Sequence, residues 1–217
     1  VLYSKYSRSF PAGYREAFFA QQAASDVEHI EKVLQGQQVG MCFYRLMEES
    51  ESQIRFKLFQ KNEPIPLTVV LPILENMGLA VMEERPYEIK VSEEVIWISD
   101  FGMRLSGSLV DPADVALIFQ EAFASVWEGR AENDGFNRLV MRAGLTWREI
   151  NILRSYAKYL LQIGFLYSQS YIEDTLTEHP AVARALVKLF FDRFDPKNKS
   201  KANKESESAV LKLLDQV

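Results

Sequence analysis

Val39-Gly40-Met41-Cys42-Phe43-Tyr44-Arg45-Leu46-Met47, a polar break over 48–52, and then Ile54-Arg55-Phe56-Lys57-Leu58 form the stretch that decides the fold class. The first run is apolar and β-prone. The second alternates Ile54, Phe56 and Leu58 with Arg55 and Lys57, the period of a half-buried strand. Two such runs across a polar turn predict a hairpin.

Reading outward from the hairpin gives the rest of the module. Upstream, Ser25 and Glu28 have the spacing of a capping box. Val27, Ile30, Val33 and Leu34 follow at helical spacing, and Gly36 ends that helix. Residues 1–22 hold Tyr3, Tyr6, Phe10, Tyr14, Phe18 and Phe19, broken by Pro11 and Gly13, and read as a turn and a short helix. Downstream, Leu67, Val70, Leu71, Leu74 and Met77 predict a helix ending at Gly78. Pro72 lacks an amide hydrogen and is placed near the first turn of that helix, with Thr68 as its cap. Residues 79–84 and 95–101 read as two more strands joined across Pro86 and Ser92. One added strand before residue 24 would make this a ferredoxin-like βαββαβ unit.

From residue 111 the pattern becomes helical. Val115, Ile118, Phe119, Ala122, Phe123, Val126 and Trp127 make a wide apolar stripe after Asp111-Pro112. A short helix is expected at 136–141. Thr146 with Glu149 is a second capping box, opening a helix with Ile150, Leu153, Ala157, Leu160 and Leu161 on one face and Gly164 at its end. Helices at 171–176 and 182–191 follow. The fold class is therefore α+β: an antiparallel α/β sandwich subdomain, then an all-α subdomain. The expected division is a lead-in at 1–22, an α+β subdomain at 23–106, a helical subdomain at 111–194, a flexible linker at 195–209 and the start of a further helix at 210–217.

Composition narrows the function. The 217 residues carry 25 Lys plus Arg against 30 Asp plus Glu, a net charge of −5. That balance opposes nonspecific binding to nucleic acid or to anionic membrane. One cysteine, Cys42, cannot form an intramolecular disulfide, and two histidines, His29 and His179, leave little material for a metal site. The chain has no apolar run long enough to span a bilayer and opens without a signal peptide, so it reads as cytoplasmic. The Gly-x-Gly-x-x-Gly fingerprint, the Gly-Lys-Ser/Thr phosphate loop, His-Glu-x-x-His and Gly-x-Ser-x-Gly are all missing from the sequence. The start at Val1 and the stop within a helical run at Gln216-Val217 read as the cut ends of a piece of a longer protein.

Four local features invite a functional reading. Residues 136–161 resemble a helix-turn-helix, and Arg138, Arg142, Arg148, Arg154 and Lys158 face only Glu149 there. A helical bundle with a basic face is preferred, because the whole chain is acidic. Glu132-Asn133-Asp134-Gly135 is an acidic loop, read as a capped turn before a cation site. Glu83, Glu84, Glu88, Glu93 and Glu94 read as exposed strand charges before an acid–base pair. His29 reads as a surface residue and His179 as part of a helix-helix turn.

The same residues carry a family resemblance. The blocks are Phe10-Pro11-Ala12-Gly13-Tyr14-Arg15-Glu16; Asp26-Val27-Glu28-His29-Ile30-Glu31; Pro64-Ile65-Pro66-Leu67; Leu71-Pro72-Ile73-Leu74-Glu75-Asn76-Met77-Gly78-Leu79; Glu84-Arg85-Pro86-Tyr87-Glu88; and Trp97-Ile98-Ser99-Asp100-Phe101-Gly102. The longest comprises Phe119-Gln120-Glu121-Ala122-Phe123, Val126-Trp127 and Ala131-Glu132-Asn133-Asp134-Gly135-Phe136-Asn137-Arg138-Leu139-Val140, running on through Ala143-Gly144-Leu145-Thr146-Trp147-Arg148-Glu149, and Ser168-Gln169, Tyr171-Ile172-Glu173 and Arg193-Phe194-Asp195-Pro196 close the series. Over residues 3–196 the chain resembles the very large NAD-specific glutamate dehydrogenases of bacteria. It departs at Ser99, where members often carry His.

The resemblance implies an ACT-like module and a helical region lying before the catalytic domain. It implies a parent enzyme, a homo-oligomer, that oxidises L-glutamate to 2-oxoglutarate and ammonium with NAD. The catalytic Lys and Asp and the NAD-binding domain would lie beyond Val217. This segment is accordingly expected to be non-catalytic and to hold no cofactor or metal of its own. Its expected partners are other domains and subunits of the parent, with no nucleic acid and no membrane.

Three roles fit such a segment. The leading one is a regulatory or assembly scaffold, with Tyr14, Phe18, Phe136, Asn137, Arg138, Trp147 and Arg148 as docking residues. The second is an amino-acid sensor. By resemblance to ACT modules, Ser25, Asp26 and the amides of a helix N-terminus there would receive the effector carboxylate. The third is a helix-turn-helix-like nucleic-acid-binding module.

Overall fold

The computed structural model describes residues 5–6, 8–45, 53–105, 112–196 and 202–215. The chain divides into two compact units, one of residues 1–72 and 79–106, the other of residues 73–78 and 107–217. Tyr3, Leu46, Met47, the polar turn over 48–52 and the chain ends lie outside the described residues.

The first unit opens with α1 (Ala12–Ala17) and α2 (Ala20–Leu34). The capping box expected at Ser25 is absent. Phe19 is extended, its amide donates to Gln22 Oε1 at 2.9 Å, and this closes the first turn. Ala20, Gln21, Gln22, Ala23 and Ala24 are good helix formers and carry the helix past the expected start. Ser25 is therefore an exposed residue inside α2. Gly36, at φ +109°, ends the helix region as expected.

The strands are β1 (Gly40–Tyr44), β2 (Gln53–Lys61), β3 (Leu79–Val91) and β4 (Glu94–Leu105), with α3 (Leu67–Asn76) between β2 and β3. The sheet order is β1-β2-β4-β3, and each neighbouring pair is antiparallel. Since β2 and β3 both oppose β4, they run parallel to each other, linked by α3 with β4 between them. That is a split βαβ unit. The strand expected before residue 24 has no counterpart among the described residues, and β4 takes the central position. The order is that of the βαββαβ unit with its first strand moved to the end.

Two proline readings change. Pro86 does not interrupt β3, which runs on to Val91. As an edge strand β3 tolerates a residue without an amide donor. Pro72 sits inside α3, because the helix begins earlier, with Val69 and Val70 amides donating to Pro66 O.

Strand β2 is not half-buried. Ile54, Phe56 and Leu58 are buried, and so are Arg55, Lys57 and Phe59 on the opposite side. The second side is covered by the aromatic lead-in and α2: Tyr6, Tyr14, Phe18, Val27, Ile30 and Val33 pack with Phe59, Ile89, Ile96 and Ile98. The residues before position 23 thus belong to this core.

The second unit contains α4 (Pro112–Trp127), a 3₁₀ turn (Gly135–Arg138), α5 (Leu139–Ala143), α6 (Trp147–Gln162), α7 (Gln169–Glu178), α8 (Pro180–Phe194) and α9 (Ala202–Leu214). Val115, Phe119, Ala122 and Phe123 of α4 are buried. Gly144 at φ +64° reverses the chain after α5. The Thr146–Glu149 capping box is present, with Thr146 N donating to Glu149 Oε2 at 2.8 Å. Ser168 caps α7, and Pro180 is the first residue of α8. Helix α9 starts at Ala202, not at 210; Ser206, buried against α8, accepts from Lys188 Nζ at 2.9 Å.

His29 is half-buried. Its ring stacks on Phe59 at 5.1 Å, and burial, followed by the nearby Lys32, holds its pKa below the ordinary 6.5. A lowered folded-state pKa means that the unfolded chain binds the proton first as pH falls. Stability is expected to decline as pH drops from about 7.5 to about 5.5, and His29→Gln should flatten that decline. Urea unfolding across that range measures it.

Candidate functional site

The covered side of the first unit's sheet carries a buried polar seam. Asp26 lies on the same helix face as Ile30 and Val33, so α2 drives a carboxylate into the core. Lys57 Nζ meets Asp26 Oδ2 at 2.6 Å, with the two side chains 2% and 3% exposed. Tyr14 Oη donates to the same oxygen at 2.5 Å. The ammonium lies 3.6 Å from the Phe18 ring centroid and 5.2 Å from that of Tyr44. Rings around a desolvated cation add a cation–π attraction. Burial, then the charge of Asp26, pushes the Tyr14 hydroxyl far above its ordinary pKa, so it stays a donor.

The seam continues along β2. Arg55 holds Asp100 Oδ2 through Nη2 at 2.6 Å and Nε at 3.1 Å, and Tyr44 Oη donates to Asp100 Oδ1 at 2.9 Å. Arg55 Nη1 reaches Glu83 at 3.0 Å, and Glu83 also pairs with Arg85 at 2.9 Å. The bond from Arg55 holds Glu83 below the usual carboxylate range. Gly102 makes this possible, since a Cβ there would stand 2.8 Å from Glu83 Cγ. The Glu83 carboxylate is an ion-pair partner, Glu94 pairs with Lys61 and Glu88 with Lys90. Cys42 borders the seam, and burial pushes its thiol up to about 11, away from thiolate reactivity.

A second network organises the helical unit. Asp134 Oδ1 accepts from the Phe136 amide at 3.2 Å, capping the 3₁₀ turn. The same carboxylate takes a two-point bond from buried Arg154, Nε to Oδ2 and Nη2 to Oδ1, both at 2.7 Å. Arg154 Nη2 also donates to Asn137 Oδ1 at 2.9 Å. The loop around Asp134 is thus a capped turn clamped by an arginine. Arg138 pairs with Asp174 at 2.8 Å, and Lys158 pairs with Glu132, which this bond holds below the usual carboxylate range. Much of the basic stripe read from sequence is therefore neutralised within the unit. Among the described residues, no group of His, Cys, Asp and Glu is placed to hold a metal ion.

The expected docking residues separate into two kinds. Tyr14, Phe18, Phe136 and Asn137 are buried, because each completes a core or a clamp. Arg138 and Trp147 are half-buried, and Arg148 is exposed. Trp147 lies between Arg130, at 5.4 Å, and Arg148, at 5.0 Å from its ring. The expected effector residues are not at a helix N-terminus: Ser25 is exposed, and Asp26 is committed to Lys57 and Tyr14. Arg55, Lys57, Asp100 and Arg154 were not singled out from the sequence as buried ion-pair partners. The signals were an aspartate in register with a buried helix stripe and another inside the apolar run 95–101.

Lys57→Met leaves a buried carboxylate without its cation and is expected to cost about 3–5 kcal/mol. Adding Asp26→Asn should show a coupling of about 1–3 kcal/mol in a double-mutant cycle measured by urea unfolding. Asp134→Ala should cost about 3 kcal/mol or more, well above the ~1 kcal/mol of a lost cap, because it strands the Arg154 guanidinium. Thermal unfolding checks it.

Comparison with known proteins places these features in a wider setting. A family model described as glutamate dehydrogenase, helical motif 2, matches residues 1–33. One described as glutamate dehydrogenase, ACT3 domain, matches residues 38–116, and one described as glutamate dehydrogenase, helical motif 3, matches residues 131–196. The chain is 45% identical over 220 residues to the NAD-specific glutamate dehydrogenase of Halomonas elongata, covering 100% of this chain and 14% of that relative. It is 39% identical to that of Pseudomonas aeruginosa, covering 98% of this chain and 14% of the relative. It is 38% identical to that of Mycobacterium tuberculosis, covering 94% and 13%. The chain thus spans about one seventh of the length of the curated relatives it matches.

Proposed function

Since the chain belongs to the NAD-specific glutamate dehydrogenase family, we propose that it is a non-catalytic assembly and regulatory segment of such an enzyme. The parent reaction on this reading converts L-glutamate, NAD and water to 2-oxoglutarate, ammonium and NADH. The NAD site and the catalytic groups belong to other parts of the polypeptide, and the partners of this segment are the parent's other domains and subunits.

One contrast carries the reading. Inside, the polar groups satisfy one another: among the described residues a single buried side-chain atom, Gln60 Oε1, is without a hydrogen-bond partner. Outside, the helical unit leaves Tyr156, Tyr159, Ile163, Leu166, Tyr167 and Phe194 largely in solvent. A settled interior with large apolar side chains outside suits a piece that is finished by contact with neighbours.

Half-buried Trp147, next to exposed Arg148, offers a test. In the full-length enzyme, Trp147→Ala is expected to weaken subunit association at least about tenfold, the loss typical of an aromatic hot spot. Activity per assembled particle should be unchanged. Mass photometry across a dilution series, with NADH formation measured on the same samples, reads both quantities. Unchanged association would contradict the assembly role, and NADH formation by purified residues 1–217 would contradict the non-catalytic one.

A further inference from the structure

Helix α6 is apolar on two sides. Ile150, Leu153 and Ala157 are buried within the unit, which accounts for one stripe. Ile152, Tyr156 and Leu160 form another, and with Leu186, Phe190 and Phe194 of α8 they line an apolar groove of about 340 Å³. Across the groove Tyr156 and Phe190 meet edge to face at 6.2 Å. The lining is partly in solvent: Tyr156 is 47% and Phe194 57% exposed. A surface helix needs one apolar stripe to fold; a second one, paired across a groove, marks a contact face.

The charges around the groove select its occupant. Arg193 lines it, and Arg148 lines the depression that continues it past Asn151 and Ser155. Neither arginine has a carboxylate partner among the described residues, and the lining contains no Asp or Glu. A second copy of this face would bring arginines against arginines. From Arg148 to Tyr159 the lined side of α6 runs about 16 Å, the length of about three helical turns. Helices pack into such grooves by side chains three and four residues apart.

We propose that the α6–α8 groove receives an acidic amphipathic helix of about three turns, supplied by the parent polypeptide outside residues 1–217. This rests on the reading of the chain as a segment of a larger enzyme. The helix places bulky apolar side chains over Tyr156 and Phe190 and carboxylates against Arg148 and Arg193.

The test uses the full-length enzyme with a photoreactive benzophenone amino acid at position 156, irradiated and mapped by peptide mass spectrometry. The expected product joins position 156 to one peptide outside 1–217 that carries apolar residues at helical spacing and neighbouring Asp or Glu. The charge-reversed enzyme, Arg148→Glu with Arg193→Glu, should lose most of that product and exchange its α6 and α8 amide hydrogens at least tenfold faster. A product joining two copies of the 156 peptide, or no product with α6 and α8 amides exchanging as fast as in the isolated chain, overturns the proposal. A product unaffected by charge reversal overturns the acidic identity of the helix. The assembly reading is judged separately by Trp147→Ala, since Trp147 does not line the groove. Cross-linking as expected with association unchanged in that variant retains the groove and removes the assembly role.

Discussion

Lys57 and Asp26, 2.6 Å apart beneath the rings of Tyr14, Phe18 and Tyr44, hold the sheet module together. A buried charge without its partner costs several kcal/mol, so neither residue can move without the other. Asp26 is on α2, Lys57 on β2 and Tyr14 on α1, so both helices are tied to the sheet at one point. Arg55 and Asp100 extend the tie from β2 to β4, and Glu83 takes it to β3. The apolar core around Phe59 and Ile98 supplies driving force without direction. The ion pairs supply direction, because they are satisfied in one register of the strands and one position of α2.

That constraint also bears on function. A ligand site needs polar groups that the fold leaves open, and here the seam's carboxylates and cations are matched to one another. The helical unit repeats the logic, with Arg154 holding Asp134, Asn137 and the turn between them. In both units these buried charges pair with one another. In the helical unit, many of the large apolar side chains left outside lie on α6, α8 and the residues just after α6.

Much of the fold was legible in the sequence, and the failures have identifiable causes. The second hairpin strand, the apolar stripe of α4 and the Thr146–Glu149 cap followed from local periodicity and capping chemistry. The start of α2 did not, because its cap is a glutamine closing on the Phe19 amide, a weaker signal than the Ser25–Glu28 spacing that competed with it. Strand β2 looked half-buried because Arg55 and Lys57 alternate with apolar residues; their partners are 45 and 31 residues away, beyond any periodicity argument. The aromatics at Tyr14 and Phe18 looked like docking residues because nothing nearby in sequence shows that they roof a lysine. Trp147 and Arg148 stand at the start of a well-capped helix, the first half-buried and the second exposed.

The central claim is that the sheet module is closed by its own ion pairs and works as structure. The most direct measurement is the unfolding temperature of residues 1–217 against a panel of amino acids, 2-oxoglutarate and NAD. A ligand at a hundred times its dissociation constant adds about 2.7 kcal/mol, a shift of a few degrees at this size. The account predicts no shift with any of them. A shift with one amino acid, abolished by Asp26→Asn, would contradict it and make the seam a binding site.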